Sequence, residues 1–165
     1  MRQSPRTHAP GRLLFLLFLL ATFLAAAAAN GSVVGMKSVK DFRQESAIAR
    51  AQNLILVLEF ASDDCPYCRK LEALFLLPMQ RNAGYDAKIL IRSISLSDFD
   101  TVIDFDGRSM TTNEFAARYE VDLTPTLLFL NADGIEMSER LVGIWSEDFY
   151  GGFIDNRIDE ARDRL

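Results

Sequence analysis

Cys65 and Cys68 are the two cysteines of this 165-residue chain, and Pro66 and Tyr67 lie between them. The spacing serves thiol–disulfide exchange, half of a tetrahedral zinc site, or an inert local disulfide. A bond across so short a loop constrains little of the unfolded chain, which argues against a purely structural role. Exchange needs one ionised, accessible thiol and a second thiol near enough to resolve the mixed disulfide before the substrate departs. With Cys65 at a helix N-terminus, unpaired amide hydrogens and the positive end of the helix dipole face its sulfur and favour the thiolate. Cys68, one turn further in, is the expected resolving thiol. Pro66 in the first turn forfeits no hydrogen bond. Arg69 and Lys70 add positive charge beside the pair, whereas Asp63 and Asp64 oppose it.

The elements that must hold this motif are readable from apolar periodicity. Residues 38–52 carry Val39, Phe42, Ala47, Ile48 and Ala49 at helical spacing, predicting an amphipathic helix that covers a sheet. Residues 54–60 are a nearly continuous apolar run, as in a central strand buried on both faces, with Glu59 the exception. The motif helix is expected from Cys65 to Leu77, capped by Asp64, with Leu71, Leu74, Phe75 and Leu77 inward, and ended or kinked at Pro78. A second strand falls within 87–96, although its alternation slips near Arg92 and Ser93. Residues 98–110 form an acidic insertion with a turn signal at Asp106-Gly107. Within it, Phe99 and Phe105 are expected to anchor the loop to the core, a partner surface being the other reading. A helix follows at 112–119, capped by Thr112 or Asn113. Strands at 126–130 and 135–142 make a hairpin around Ala132-Asp133-Gly134. The last helix, 146–164, turns Phe149, Phe153, Ile154 and Ile158 inward, weakened at Gly151-Gly152. Trp145 is read as a packing residue in preference to a substrate contact.

The first 29 residues hold Arg2, Arg6 and Arg12, no acid, an apolar run Leu13 to Leu24 and five alanines from Ala25 to Ala29. This is the layout of a secretory signal peptide, with an Ala-x-Ala site at Ala27 and Ala29, and it predicts a domain over 30–165 in the periplasm. Retention as an anchor is the other fate open to it, since Leu13 to Ala29 is 17 residues, the lower limit for a span. Removal leaves 15 basic against 23 acidic residues, a net charge of −8, which does not favour nucleic acid. His8, the one histidine, departs with the leader. Zinc would then lack further cysteine or histidine ligands, so no metal site is expected.

Strand, Cys-x-x-Cys helix, and a later Thr124-Pro125 before a strand and hairpin resemble the thioredoxin superfamily. The resemblance covers roughly residues 39–164. It implies an α/β thioredoxin-like fold: a central mixed sheet of four to five strands flanked by helices, with a small insertion before the proline strand. It further implies that Pro125 is cis and faces the motif, and that Pro66, Tyr67, Thr124 and Pro125 contact the substrate. Glu59, six positions before Cys65, matches the family's buried carboxylate and is implied as the group that exchanges a proton with Cys68. Pro-Tyr also occurs between the cysteines of glutaredoxins, but the leader argues against a cytosolic glutathione-dependent enzyme. With its leader, the chain resembles exported thioredoxins of the SoxW type and the catalytic domains of Dsb-type proteins. It differs from Dsb isomerases in having no added dimerisation domain, and from typical thioredoxins in having no tryptophan before the first cysteine. The implied activity is protein-disulfide oxidoreduction by a monomer without a cofactor, acting on protein thiols and disulfides and recharged by a membrane or periplasmic redox partner. A non-catalytic module whose disulfide toggles affinity for a partner enzyme fits the same motif.

Overall fold

A computed structural model describes residues 35–97 and 100–165. The leader and Phe99 lie outside the described residues. Chain order is α1 (Phe42–Gln52), β1 (Ile55–Ala61), α2 (Pro66–Leu71), a π-helical segment (Glu72–Leu76), α3 (Leu77–Gln80) and β2 (Ile89–Ser95), then β3 (Thr101–Ile103), β4 (Ser109–Thr111), α4 (Thr112–Arg118), β5 (Thr126–Leu130), β6 (Leu141–Val142) and α5 (Glu147–Arg162). Four strands form a mixed sheet in the order β2-β1-β5-β6, and β3 and β4 form a separate hairpin. β1 runs parallel to β2 and antiparallel to β5. This is the α/β arrangement that the resemblance implies, a mixed four-stranded sheet with helices packed on it and an insertion between β2 and β5.

Strand alternation builds two cores from one sheet. On one face Ile55, Val57, Ile89, Ile91, Leu127 and Phe129 meet Leu71, Leu76, Tyr150 and Ile154. On the other, Leu56, Leu58, Phe60, Leu128 and Leu130 meet Phe42 and Phe115. Every residue of β1 is buried, which accounts for its continuous apolar run. The apparent slip in β2 is no change of register. Arg92 points to the α1 face, where it is buried and donates to Glu45 at 2.7 Å. Phe105 ties the insertion to the core, its ring 4.9 Å from that of Phe42.

Several local expectations are corrected. The first helix starts at Phe42, capped by Asp41, because Val39 is held in extended form by its bond to the Ser93 carbonyl. Cys65, not Asp64, caps α2: a residue before proline is pushed to extended backbone, and Cys65 sits at φ −91° and ψ 102°. Pro78 does not end the motif helix. The Leu77 N–H reaches back five residues to Glu72, and this wider turn relieves the clash a proline imposes on the turn before it. The extra residue rotates the buried stripe to Leu71, Leu76 and Met79 and leaves Leu74 exposed. Thr111, rather than Thr112 or Asn113, caps α4 in a reciprocal box with Glu114. The expected strand at 135–142 is reduced to β6 and an isolated bridge from Leu130 to Glu136. Between them Ser138 and Arg140 turn to backbone carbonyls of Arg157 and Tyr119 instead of a ladder. In α5 the inward stripe is Tyr150, Ile154, Ile158 and Ala161, so Phe149 and Phe153 stand outward. Among the described residues no helix is long and apolar enough to cross a membrane.

Candidate active site

β1 ends at Ala61, a short turn follows, and α2 begins at Pro66, so the motif sits at the C-terminal edge of the sheet. Cys65 and Cys68 are joined in a disulfide, their Cα atoms 5.2 Å apart. Both are nearly covered, Cys65 at 7% exposure and Cys68 at 2%, so Cys65 is the more accessible sulfur. Its Sγ accepts from the Cys68 N–H at 3.0 Å, placing it where the unpaired amides of a helix start converge. The two residues between the cysteines project differently from them: Pro66 and Tyr67 are exposed, Tyr67 at 57%.

Thr124-Pro125 lies across from the motif. Their peptide bond is cis. The Ser62 and Thr124 hydroxyls are 3.2 Å apart, linking the turn before the motif to the proline loop. Thr126 Oγ1 closes that loop by donating to the Leu123 carbonyl at 2.8 Å. Pro125 has no N–H, and its carbonyl accepts from Gly143 at 2.8 Å. Among the described residues the Thr124 main chain has no hydrogen-bond partner, so its N–H and carbonyl are the groups left to meet an extended peptide.

Glu59 lies one strand step before Ala61 on the same face of β1, and Ala61 packs with both cysteines in a small buried cluster. Glu59 is fully buried, and neither carboxylate oxygen has a hydrogen-bond partner. Burial, and then the charge of Glu72, push its carboxyl up to about 8; Ser93 opposes this from the neighbouring strand without reaching hydrogen-bond geometry. Glu59 therefore favours its neutral form at pH 7, on the strand whose end packs against the cysteine pair. The Tyr150 hydroxyl on the same side is pushed up by burial and by Glu59, and donates to the Gly143 carbonyl at 2.7 Å.

Glu72 was not singled out by motif reading. It follows Cys68 by four residues, hence shares its helix face, and that spacing is the signal that could have found it. A cleft of about 350 Å³ opens beside the disulfide, lined in part by Cys68, Arg69, Glu72, Ser93 and Ser95. Partial burial raises the Glu72 carboxyl, with Arg69 acting against the rise. Trp145 is half exposed, with its ring 5.1 Å from Tyr150 and 5.6 Å from Phe153, so it packs against α5 on one side only.

A disulfide at the start of the helix after β1, a cis proline before β5 and a buried acid below them define a thioredoxin-like redox protein. Residues 42–155 match the family described as thioredoxin-like domain, and the chain belongs to that family. No curated protein matches the sequence. Among solved structures it is similar to a poplar thioredoxin h mutant, at 19% identity over 78% of this chain and 86% of that chain, with a TM-score of 0.50. The oxidised C-terminal domain of DsbD from Neisseria meningitidis aligns at 15% identity over 73% of this chain and 98% of that chain, with a TM-score of 0.52. A DsbH oxidoreductase aligns at 16% identity over 76% and 87% of the two chains, with a TM-score of 0.53. At these identities the likeness is one of fold. Family and disulfide together make this a thioredoxin-like disulfide oxidoreductase in general.

Proposed function

We propose that the chain exchanges disulfides with exported protein substrates, with Cys65 as nucleophile and Cys68 as resolving thiol. The observation that carries the reading is the asymmetry of the pair: Cys65 is the more exposed sulfur and sits at the helix start, while Cys68 lies inside beside the cleft. In the reducing direction the Cys65 thiolate attacks a substrate disulfide, one S–S bond forms as another breaks, and a substrate thiolate leaves. The Cys68 thiol then loses its proton and attacks the Cys65 sulfur. The second substrate thiolate departs, and two electrons have passed to the substrate. A dithiol redox partner returns them, and the reverse sequence oxidises a substrate dithiol.

Glu59, buried and without a hydrogen-bond partner, exchanges a proton with Cys68: its neutral form, favoured at pH 7, protonates the Cys68 thiolate released in the oxidising direction, and its carboxylate form takes the Cys68 proton in the reducing direction. Thr124 offers its free main-chain groups to the substrate strand; Pro125 holds them in place, and Pro66 and Tyr67 flank the attacked sulfur. Both thiols belong to one chain, so a monomer without metal or organic cofactor suffices. The basic and apolar leader supports a periplasmic setting and a kinship with exported SoxW-type or Dsb-type proteins. Turnover of insulin disulfides with a chemical reductant tests the reading. The full chain is expected to turn over many equivalents, and Cys65→Ala none; equal rates for the two would sink it.

A further inference from the structure

The redox end of the molecule exposes aromatic surface that neither the core nor disulfide exchange uses. Trp145, Phe149 and Phe153 are 55%, 70% and 37% exposed. Trp145 and Phe153 are in ring contact, and Phe149 lies one helical turn from Phe153 on the same face of α5. Leaving such side chains in water forgoes much of the stabilisation that burying large apolar groups brings. Contiguous apolar surface rimmed by polar residues marks an interaction site.

This shelf is continuous with the disulfide. Gly143, two residues before Trp145, bonds to the Pro125 carbonyl. Lys70 of the motif helix pairs with Glu147 at the start of α5. Tyr67, one turn before Lys70, therefore faces the same side. The rim at the start of α5 is acidic, with Glu147 and Asp148 exposed beside Phe149, and Asp63, Asp64 and Asp122 are exposed in the motif turn and the proline loop. The cations in these stretches are Arg69 and Lys70, and Lys70 is already paired with Glu147.

We infer that the Trp145–Phe149–Phe153 shelf docks the polypeptide beside a substrate's cystine and selects segments in which apolar or aromatic residues adjoin lysine or arginine. The inference rests on the exchange reading above and names its substrate class. The apolar shelf supplies contact area, and the acidic rim complements a basic flank while repelling a second copy of this chain.

Trp145 is the one tryptophan of the chain, so its fluorescence reports docking directly, whether or not exchange follows. The test uses the full chain and synthetic cystine peptides that share a Leu-Phe segment flanked by lysines or by glutamates. Lysine-flanked peptide is expected to shift Trp145 emission and to bind roughly tenfold tighter than its glutamate twin, the size that two or three exposed charge pairs supply. That preference shrinks with added salt. Phe149→Ala, at an exposed position that folding does not depend on, is expected to raise KM for the lysine peptide about tenfold with kcat unchanged. Its exchange with hydroxyethyl disulfide, too small to reach the shelf, stays at the parent rate. Equal binding of the two peptides, an unchanged KM in Phe149→Ala, or a parent dimer that this substitution dissociates would overturn the inference. Parent chain that fails on hydroxyethyl disulfide itself would instead overturn the exchange reading, leaving the fluorescence titration to judge docking separately.

Discussion

Burial of Glu59 is costly, since a carboxyl with two unpartnered oxygens inside the protein favours the neutral acid. The unfolded chain releases that proton near 4.5, whereas the folded chain keeps it up to about 8. Across that window the folded state binds more protons, so Glu59 lowers stability as pH rises, by on the order of 1.4 kcal/mol per unit, with no further loss above the window. Glu59→Gln removes this slope. Urea unfolding at pH 5 and pH 8 should show the variant gaining most at pH 8, together with slower resolution of mixed disulfides; parallel pH profiles for parent and variant would contradict the account. An acid inside an apolar run made Glu59 readable from the chain alone. The neighbouring charge of Glu72 was legible only as a position four residues after Cys68 on the expected motif helix; its influence on Glu59 in β1 is a tertiary relation that helical spacing alone does not give.

At the scale of elements, strands were more legible than helix faces. β1 and β5, buried on both faces, are continuous apolar runs that fall within a residue of their expected bounds, whereas the less apolar stretch 135–142 kept only the two residues of β6. A helical stripe can rotate by one residue at little local cost, and tertiary packing decides. In α5 the rotation buries Tyr150, whose hydroxyl finds the Gly143 carbonyl, and expels Phe149 and Phe153. Caps slipped by one residue for a related reason: Pro66 sets the start of α2, and the reach of Glu114 back to Thr111 sets that of α4. The two glycines within α5 differ in surroundings. A Cβ on Gly151 would touch the Phe75 ring at 3.6 Å, whereas a Cβ on Gly152 meets nothing within 4 Å. Gly152→Ala is therefore expected to stabilise the fold by about 0.5–1 kcal/mol, raising Tm by a few degrees in a thermal melt. Gly134→Ala has the opposite sign, because Gly134 lies at φ +78° and its Cβ would fall 2.5 Å from the Phe105 ring. A lower Tm for Gly152→Ala would contradict the open surroundings of that position.

For the whole molecule, one sheet serves two cores and delivers the motif, the proline loop and the buried acid to a single edge. The site residues named from the chain, Cys65, Cys68, Pro66, Tyr67, Thr124, Pro125 and Glu59, come from three separate stretches and converge there. Convergence followed from the family pattern rather than from local periodicity, which is blind to contacts 62 residues apart such as Ser62 with Thr124. The acidic balance of the chain, net −5, sits with a site rimmed by carboxylates and suits partners of the opposite sign. The division of labour between the two sulfurs is the central claim, and trapping of mixed disulfides measures it most directly. In Cys68→Ser the attack by Cys65 proceeds and resolution does not, so covalent adducts with substrate should accumulate through Cys65 and be released by reductant. In Cys65→Ser the inner sulfur is left alone and adducts should be absent; adducts in equal amount from both variants, or through Cys68 alone, would contradict the account.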